Sequence, residues 1–327
     1  MRSFTAGLWV LCAAGLTLRA AGPTPPAILL YGRPYVELDA WARANALRLD
    51  WDHHSRDARA TNRSTRLGFT VDSREVQFNG VNVWLSVPIT PSNGRLLVAV
   101  LDVKSALQPL LEPARNKPGQ KVHVIALDPG HGGRQPGNQD GDHLEKEYTL
   151  LLAQKVRSLL QNAGFRVVMT RTADAFVDLP ERPALARRQR ADLFVSLHYN
   201  ATGAGEAEAN GVEVYCLTPA GAFSTNAQGD DGSSTQAEPG NLNNARNLLL
   251  AYRLQKALVG NLAVKDRGVR RARFAVLKPA TMPAVLIEGG FMSSPTEAQQ
   301  IYNTTHRAET ARAIVDGILA YKRLVER

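Results

Sequence analysis

Two of the seven histidines stand where buried strands are predicted to end. His131 follows the apolar run at 125–127, and His198 follows the apolar run at 193–197. In open α/β sheets, ligands bind beyond the carboxyl ends of the strands, so two imidazoles placed there can converge on one point. Neutral imidazole is a common zinc ligand. The pair therefore indicates a metal site, with two unconnected, solvated side chains as the alternative.

Two glutamates add a carboxylate ligand and a proton acceptor to this pattern. Glu145 opens a predicted helix after a glycine-rich loop, where a carboxylate also interacts favourably with the helix N-terminus. Two histidines, one carboxylate and an open position form the catalytic zinc site of some peptidases. Glu288 ends the apolar run 285–287, where it is either a surface acid or the acceptor of a proton from an attacking water. The chain contains no His-Glu-x-x-His segment, which excludes the metalloproteases defined by that motif.

The remaining residues with reactive side chains lack a comparable setting. Cys216 is the single cysteine beyond the first 21 residues, so no intrachain disulfide is predicted for a chain that loses them. Five histidines are predicted to be solvated or to fill the core: His53, His54, His123, His143 and His306.

The residues from Lys121 onward predict the elements that must position the four candidate side chains. Apolar runs alternate there with helical patterns, and continuous apolar strands between helices indicate a sheet that is covered on both faces. We therefore predict an α/β domain over 121–327, with a mostly parallel twisted sheet and helices on both faces. The predicted strands lie at 122–127, 165–169, 193–197, 212–217, 274–277 and 285–287, and the predicted helices at 145–163, 181–190, 243–259 and 305–324.

Three further segments precede this domain. Residues 1–21 combine a basic start, a short apolar run and small residues, which is typical of a secretory signal peptide; a retained anchor is the alternative. Residues 28–111 predict a small α+β domain, because turn signals separate several short strand-like runs there. Residues 112–120 contain Pro113 and Pro118 and predict a linker. The signal predicts an exported protein in the periplasm or associated with the cell envelope.

The composition limits the partners of such a protein. With 44% hydrophobic and 21% charged residues, the chain has the composition of a globular protein with a core. The formal net charge of +9 favours polyanions, but the positive residues are scattered along the sequence, and an exported protein rarely meets nucleic acid. We therefore predict no nucleic-acid partner and a weak attraction to an anionic wall or membrane surface.

Four ordered blocks resemble the zinc amidase family that cleaves N-acetylmuramoyl-L-alanine bonds in peptidoglycan. The resemblance implies that His131, Glu145 and His198 bind Zn²⁺ and that Glu288 is the catalytic carboxylate. The alternatives are a zinc carboxypeptidase or amidohydrolase with another substrate, and a non-catalytic wall-binding protein with a degenerate site. The blocks are Leu127-Asp128-Pro129-Gly130-His131-Gly132-Gly133, Glu145-Lys146 ahead of Leu150, Ser196-Leu197-His198-Tyr199-Asn200-Ala201, and Met282-Pro283-Ala284-Val285-Leu286-Ile287-Glu288-Gly289-Gly290-Phe291.

The resemblance also raises the question of gating. Some relatives in this family insert a helix between the second histidine and the last strand, and that helix blocks the zinc until an activator moves it. The corresponding region here, 218–242, is rich in glycine and proline and contains no lysine or arginine. The composition predicts a mobile acidic loop and an open site, so the sequence does not require an activator protein for this chain.

The N-terminal region more loosely resembles the copper amine oxidase N-terminal-like domain of bacterial surface proteins. The resemblance rests on Tyr35-Val36-Glu37-Leu38, on the turn at 49–52 and on 81–83 after Asn79-Gly80. His53-His54 is too little to predict a copper site. This region is joined by a proline-containing linker and carries no catalytic candidate, so we expect it to be dispensable for hydrolysis of a small soluble substrate and to serve in attachment to the wall or a membrane surface.

Overall fold

The computed structural model describes residues 25–202, 209–226 and 234–326. The predicted signal peptide at 1–21 lies outside the described residues. Within the described ranges, no helix combines the length and the apolar character needed to cross a bilayer.

The described N-terminal region consists mostly of short strands. A π-helical turn at Val103–Leu107 separates its last two helices. Its strands and helices are β1 (Ile28–Leu30), β2 (Arg33–Glu37), α1 (Leu38–Ala44), β3 (Arg48–Trp51), β4 (Asp57–Thr61), β5 (Arg66–Thr70), β6 (Glu75–Phe78), β7 (Val81–Trp84), β8 (Thr90–Ser92), β9 (Arg95–Ala99), α2 (Val100–Asp102) and α3 (Gln108–Leu111).

The described C-terminal region alternates longer strands and helices, with a 3₁₀ turn at Pro239–Asn243. Its elements are β10 (Val124–Pro129), β11 (Gln139–Asp140), β12 (His143–Leu144), α4 (Glu145–Asn162), β13 (Arg166–Met169), α5 (Glu181–Arg188), β14 (Leu193–Asn200), β15 (Val212–Leu217), α6 (Asn244–Asn261), β16 (Asp266–Ala272), β17 (Ala284–Phe291), α7 (Pro295–Tyr302) and α8 (Thr304–Val325).

Six of these strands form the twisted sheet that positions the candidate site. Their order is β13-β10-β14-β17-β15-β16, and all neighbouring pairs are parallel except β15 and β17. Helices α4, α6 and α8 pack on one face, because their apolar residues recur every three or four positions and meet the large core. Ala186 of α5 packs with Phe194 and Leu286 on the opposite face. The predicted α/β fold with helices on both faces is confirmed.

One predicted strand was wrong. Residues 274–277 lie in a turn region and pack in the smaller apolar core, which contains Phe194 and Leu286. The strand in this part of the chain is β16, at Asp266–Ala272. This strand has no apolar run, because arginines occupy several of its positions. Two of them, Arg267 and Arg270, contact the buried carboxylate of Glu213. Hydrophobic periodicity therefore could not indicate it.

The N-terminal strands extend the same sheet. Beyond β16 the order continues as β7-β6-β5-β4-β3, which gives one sheet of eleven strands. Val83 on β7 pairs in parallel with Val269 on β16. The backbone N–H of Asn82 donates to Asp266 at 2.8 Å, and the indole N–H of Trp84 donates to the Arg267 carbonyl at 3.0 Å. A second, four-stranded sheet has the order β1-β2-β9-β8.

The N-terminal and C-terminal regions also share one apolar core. The rings of Phe78 and Tyr252 meet edge to face with centroids 5.5 Å apart, and the Tyr252 hydroxyl donates to the Phe78 carbonyl at 3.1 Å. The Arg271 guanidinium donates to the Ser105 carbonyl at 2.6 Å. The segment 112–120 between the two regions also contacts the C-terminal region, since the backbone N–H of Asn116 donates to the Val325 carbonyl at 2.7 Å. The N-terminal region therefore packs against the C-terminal region as a structural part of it.

This packing predicts the result of removing the N-terminal region. A protein that starts at Lys121 loses the strand beside β16 and uncovers the side of α6 that contacts α3 and β7. Since each buried apolar side chain contributes about 1.5–3 kcal/mol, we expect a large fall in melting temperature. The four candidate residues all remain, so the folded fraction should still hydrolyse a soluble muropeptide. Thermal unfolding beside a protein that starts at Ile28 provides the comparison, and equal melting temperatures would contradict the prediction.

Candidate active site

The loop after β10 presents His131 to the carboxyl edge of the sheet. His131 has a φ of 59°, in the left-handed region, which turns its side chain back towards the end of β14. Gly130 lies against the His198 ring, where a Cβ would come within 2.3 Å of a ring atom. Any larger residue at 130 would therefore push His198 away from His131. The two imidazole rings meet edge to face with centroids 4.9 Å apart.

Glu145 lies between the two histidines. It is the first residue of α4 and is buried, and its two carboxylate oxygens are 3.1 Å from His131 Nε2 and 2.9 Å from His198 Nδ1. The backbone N–H groups of Asn138 and Tyr199 donate to the same carboxylate at 2.9 and 3.1 Å. The charge of Glu145 is therefore directed at the point between the imidazoles, and the structure brings all three predicted ligands together.

These three side chains can hold a metal ion. Their ligand atoms lie within 4.8 Å of one another. Burial alone would raise the pKa of Glu145, but hydrogen bonds with His131 and His198 outweigh it and hold the pKa well below its usual range. Metal binding requires deprotonated ligands, so an ionised carboxylate suits this purpose.

Glu288 faces the cluster from the neighbouring strand. It is the register partner of His198 on β14 and of Glu213 on β15. Its Oε2 atom is buried and has no hydrogen-bond partner among the described residues. Burial, together with the charges of Glu145 and Glu213, raises its pKa well above the usual value. Glu288 as a whole is half-buried, and a carboxyl group with one buried, unbonded oxygen beside a possible metal site can exchange a proton with a reactant.

Glu213 was not singled out from the sequence. It interrupts the apolar run of β15, and a carboxylate inside such a run was the available signal. Its oxygens accept hydrogen bonds from Asn200 and Tyr215 at 2.9 Å and from Arg267 at 3.0 Å, and Arg270 lies 2.9 Å away. These partners hold a negative charge in place on the side of Glu288 away from the histidines.

Two buried arginines hold the His131 loop, although the sequence alone assigned them no role. Arg182 donates to the Asp128 carboxylate at 2.9 Å and to the His131 carbonyl at 2.8 Å. Arg171 donates to the carbonyls of Pro129 and Gly130 at 3.0 and 2.8 Å. The side-chain hydroxyl of Ser196 also donates to Asp128, at 2.8 Å. This network fixes the backbone between the end of β10 and His131, including the strained left-handed residue.

The candidate residues line a cleft of about 280 Å³. His131, Glu145, His198 and Glu288 contribute polar groups to its lining. Most of the other lining residues are apolar or aromatic and come from separate segments: Leu179, Tyr199, Phe274, Ala275, Val276 and Leu286. A largely apolar lining with a few convergent polar groups is the usual form of a small-molecule or active site.

Of the segment 218–242, which the sequence predicts to be a mobile loop, the structure describes 218–226 and 234–242, and the first of these stretches is partly buried. Ala222, Ser224 and Thr225 are buried, and the Arg273 guanidinium donates to the Ala222 carbonyl at 2.8 Å. None of the described residues of this segment lines the cleft of the candidate site. The acidic pair Asp230-Asp231, which the sequence places in the predicted loop, lies outside the described residues.

This placement predicts the effect of replacing the acidic part of the segment. We expect a variant with seven glycine and serine residues at 227–233 to keep the rate of the unchanged protein to within about twofold, since the docked part does not reach the cleft. Initial rates on a soluble muropeptide provide the measurement. An increase of about tenfold or more would show that the segment inhibits the site.

An α/β sheet with a His–Glu–His cluster and a free carboxylate at its strand ends is typical of a metal-dependent hydrolase. Residues 125–320 match the family model described as N-acetylmuramoyl-L-alanine amidase. This match covers more than half of the chain, and the chain belongs to the N-acetylmuramoyl-L-alanine amidase family. Residues 20–113 match the model described as copper amine oxidase N-terminal domain. Both resemblances seen in the sequence are confirmed.

Two curated relatives and one solved structure support the same conclusion. The chain is 33% identical to the N-acetylmuramoyl-L-alanine amidase AmiC of Neisseria meningitidis, over 64% of this chain and 55% of the relative. It is 34% identical to the N-acetylmuramoyl-L-alanine amidase LytC of Bacillus subtilis, over 61% of this chain and 36% of the relative. The chain thus matches only part of the length of each relative. The solved structure of the amidase AmiC2 of Nostoc punctiforme matches with a TM-score of 0.52 and 31% identity, over 63% of this chain and 99% of that chain.

Proposed function

We propose that this protein is a zinc-dependent hydrolase of the amide bond between N-acetylmuramic acid and L-alanine in peptidoglycan. The observation that carries the proposal is the cluster of His131, Glu145 and His198, with Glu288 on the adjacent strand and its Oε2 free of hydrogen bonds to described residues. Membership of the amidase family supports this choice of substrate.

The donor set of the cluster fits zinc. Two imidazoles and one carboxylate are ligands that zinc accepts, whereas magnesium and calcium prefer oxygen ligands. The three ligand atoms lie close enough for one ion, and they come from the loop after β10, the start of α4 and the end of β14. When bound, zinc supplies Lewis acidity, which polarises a carbonyl and makes a water more acidic.

Glu288 moves the protons of the proposed reaction. Its carboxylate accepts a proton from the attacking water as the carbon–oxygen bond forms at the lactyl carbonyl of muramic acid. It then donates that proton to the nitrogen of L-alanine as the carbon–nitrogen bond breaks. The carboxylic acid formed at the lactyl carbon then passes its proton to the amine, which gives the lactyl carboxylate and the ammonium group of L-alanine, and Glu288 returns to its starting state. A raised pKa suits a group that must both accept and release a proton.

The surrounding residues hold the candidate ligands in place and add apolar surface to the cleft. Asn138 and Tyr199 hold Glu145 through their backbone N–H groups, and Arg182 holds the backbone carbonyl of His131. Phe274, Val276 and Leu286 contribute apolar lining to the cleft. A substrate that displaces water from this lining strengthens the electrostatic interactions within the site.

The proposed cellular role is remodelling of the wall or separation of daughter cells by an exported protein in the periplasm or cell envelope. The pattern at 1–21 and the amidase relatives of Neisseria and Bacillus support this location. No activator is proposed, because the described residues of 218–242 leave the cleft uncovered.

Digestion of purified sacculi tests the proposal. We expect the full-length mature protein to release stem peptides that begin with a free L-alanine amine, and a chelator to stop the release. Mass analysis distinguishes these peptides from those of a carboxypeptidase, which would shorten stems that remain attached to the glycan. Release of single C-terminal amino acids alone would overturn the proposed substrate bond, and release undiminished by the chelator would overturn the role of zinc.

A further inference from the structure

A cleft of about 610 Å³ lies on the N-terminal strands, away from the candidate active site. Three arginines line it: Arg59 on β4, Arg63 in the β4–β5 turn and Arg66 on β5. Its lining contains no acidic residue. An adjoining cleft of about 460 Å³ shares Arg59, Gly68 and Gln77 with it.

The three guanidinium groups have no side-chain hydrogen bond or ion pair with any described residue. Asp50 is the register partner of Arg59 on β3, but the two side chains are not within ion-pair distance. Asp57 and Glu75 line the adjoining cleft and not this one. The arginine cleft therefore presents unpaired positive charge, and a guanidinium fork binds a carboxylate through two parallel hydrogen bonds.

Gly68 lines the arginine cleft and leaves space in it, because glycine has no side chain. Arg59, Gly68 and Gln77 are register partners on β4, β5 and β6, so their Cα atoms lie in one row across the sheet. Gly68 leaves a gap between the two longer side chains. A Cβ at this position would meet Gln77 Cβ at 3.6 Å, which is an ordinary contact. A larger residue can therefore fill the cleft without a backbone clash.

The arginine cleft and the candidate active site lie on the same face of the eleven-stranded sheet. The row of Arg59, Gly68 and Gln77 continues to Asn82 on β7. Trp84 lies two residues further along the same strand, and the Arg270 guanidinium is 4.3 Å from the centroid of the Trp84 ring. Arg270 also contacts Glu213, the register partner of Glu288. From β17 to β5 the sheet order has five steps, or about 24 Å at a strand spacing of ~4.8 Å.

We propose that the arginine cleft is a second binding site for the peptidoglycan polymer, in which Arg59, Arg63 and Arg66 bind carboxylates of its peptide stems. The inference rests on the proposed function. Because the two sites share one face and are separated by several strands, one polymer can occupy both, whereas a single short muropeptide occupies the active site alone. Binding at the arginine cleft therefore raises the affinity of the protein for the polymer, whereas the affinity of the active site for a short muropeptide stays the same.

The chemistry of the cleft favours the wall over an anionic membrane. Apart from the buried Leu67, its lining residues are polar or glycine, so it offers no side chain for insertion into lipid. The exposed apolar residues Leu29 and Tyr31 of the N-terminal region belong to the hairpin of β1 and β2 in the other sheet. A concave, polar and cationic surface matches a carboxylate-bearing polymer.

Co-sedimentation with purified sacculi tests the proposal. The full-length mature protein is treated with a chelator so that binding is measured without digestion. We expect the triple variant Arg59→Gln, Arg63→Gln, Arg66→Gln to bind at least about tenfold more weakly, since hydrogen bonds between charged groups are stronger than those of the neutral amides that replace them. Gly68→Val should also weaken binding by filling the cleft, and valine is favoured in strands, so this variant should fold.

The controls separate cleft, charge and function. The matched variant Arg157→Gln, Arg312→Gln, Arg323→Gln removes three exposed arginines from α4 and α8 and should bind like the unchanged protein. Sacculi with their carboxyl groups converted to amides should bind the unchanged protein as weakly as the triple variant binds untreated sacculi. Two outcomes would overturn the proposal. The first is unaltered binding of sacculi by both cleft variants. The second is a triple variant that loses binding to phosphatidylglycerol vesicles but keeps its binding to sacculi. Hydrolysis of a short soluble muropeptide by the unchanged protein tests the proposed function separately.

Discussion

Glu288→Gln should lower the rate of amide hydrolysis by a factor of about 10² or more, in line with the contribution of a general acid–base group. Glutamine has nearly the same shape as glutamate but cannot accept the proton of the attacking water. The metal content should stay unchanged, because His131, Glu145 and His198 all remain. Rates on a soluble muropeptide and metal analysis of the same preparation provide the measurements.

Glu147→Gln is the matched control for this variant. Glu147 lies on α4 two residues after Glu145, but it is exposed and does not line the cleft. We expect this control to keep its rate. Near-full activity of Glu288→Gln would move the proton acceptor to another residue, and a lost rate in Glu147→Gln would make Glu147 the first candidate.

The same substitution should stabilise the chelator-treated protein at neutral pH. The pKa of Glu288 is raised in the folded protein, whereas in the unfolded chain it is ~4.3. Between these two values the folded protein holds a proton that unfolding releases, so the ionisable group reduces stability as pH rises through this window. Glu288→Gln removes the effect. Melting temperatures should be higher for the variant at pH 7 and equal below pH ~4.3, and a lower melting temperature at pH 7 would contradict the raised pKa.

His198→Ala should reduce bound zinc from about one equivalent to a small fraction, because two of the three protein ligands of a catalytic zinc site then remain. Loss of the metal should remove hydrolysis as well. His131→Ala should have the same effect, and it relieves the left-handed backbone at 131 only slightly, since alanine keeps its Cβ. Metal analysis after dialysis against a weak chelator is the measurement.

His123→Ala provides the control for the histidine variants. The apolar run around His123 predicts a buried position in a strand, but the structure leaves this residue exposed just before β10. Its substitution should change neither zinc content nor melting temperature. Normal zinc content in both His131→Ala and His198→Ala would rule out the proposed ligand set.

The four candidate residues could be located from the sequence because each stands next to a strong local signal. His131, His198 and Glu288 follow apolar runs, and such runs predict buried strands whose carboxyl ends meet at one edge. Glu145 opens a helix with apolar residues at helical spacing. The fold class followed from the same alternation of strands and helices. The structure brings the four side chains together around one cleft at the ends of β10, β14 and β17 and the start of α4.

Only the tertiary structure decided how the remaining residues act. Strand β16 has charged residues where an apolar run would be expected, and two of its arginines contact Glu213, which lies 54 positions before Arg267. The fusion of two predicted domains into one sheet depends on the pairing of Val83 with Val269. Such contacts join residues that are far apart in sequence, so local periodicity cannot predict them.

The charge distribution shows the same division. In the sequence the positive residues are scattered, and from this we predicted only a weak attraction to an anionic wall or membrane surface. The register of β4 and β5 brings Arg59, Arg63 and Arg66 around one glycine-floored cleft, and the continuous sheet places that cleft on the face of the candidate active site. Residue types and local patterns determined the fold class of this protein and predicted its candidate site. Strand pairing between distant segments decided which charges share a face with the candidate site, because side-chain direction in a sheet depends on register and not on composition.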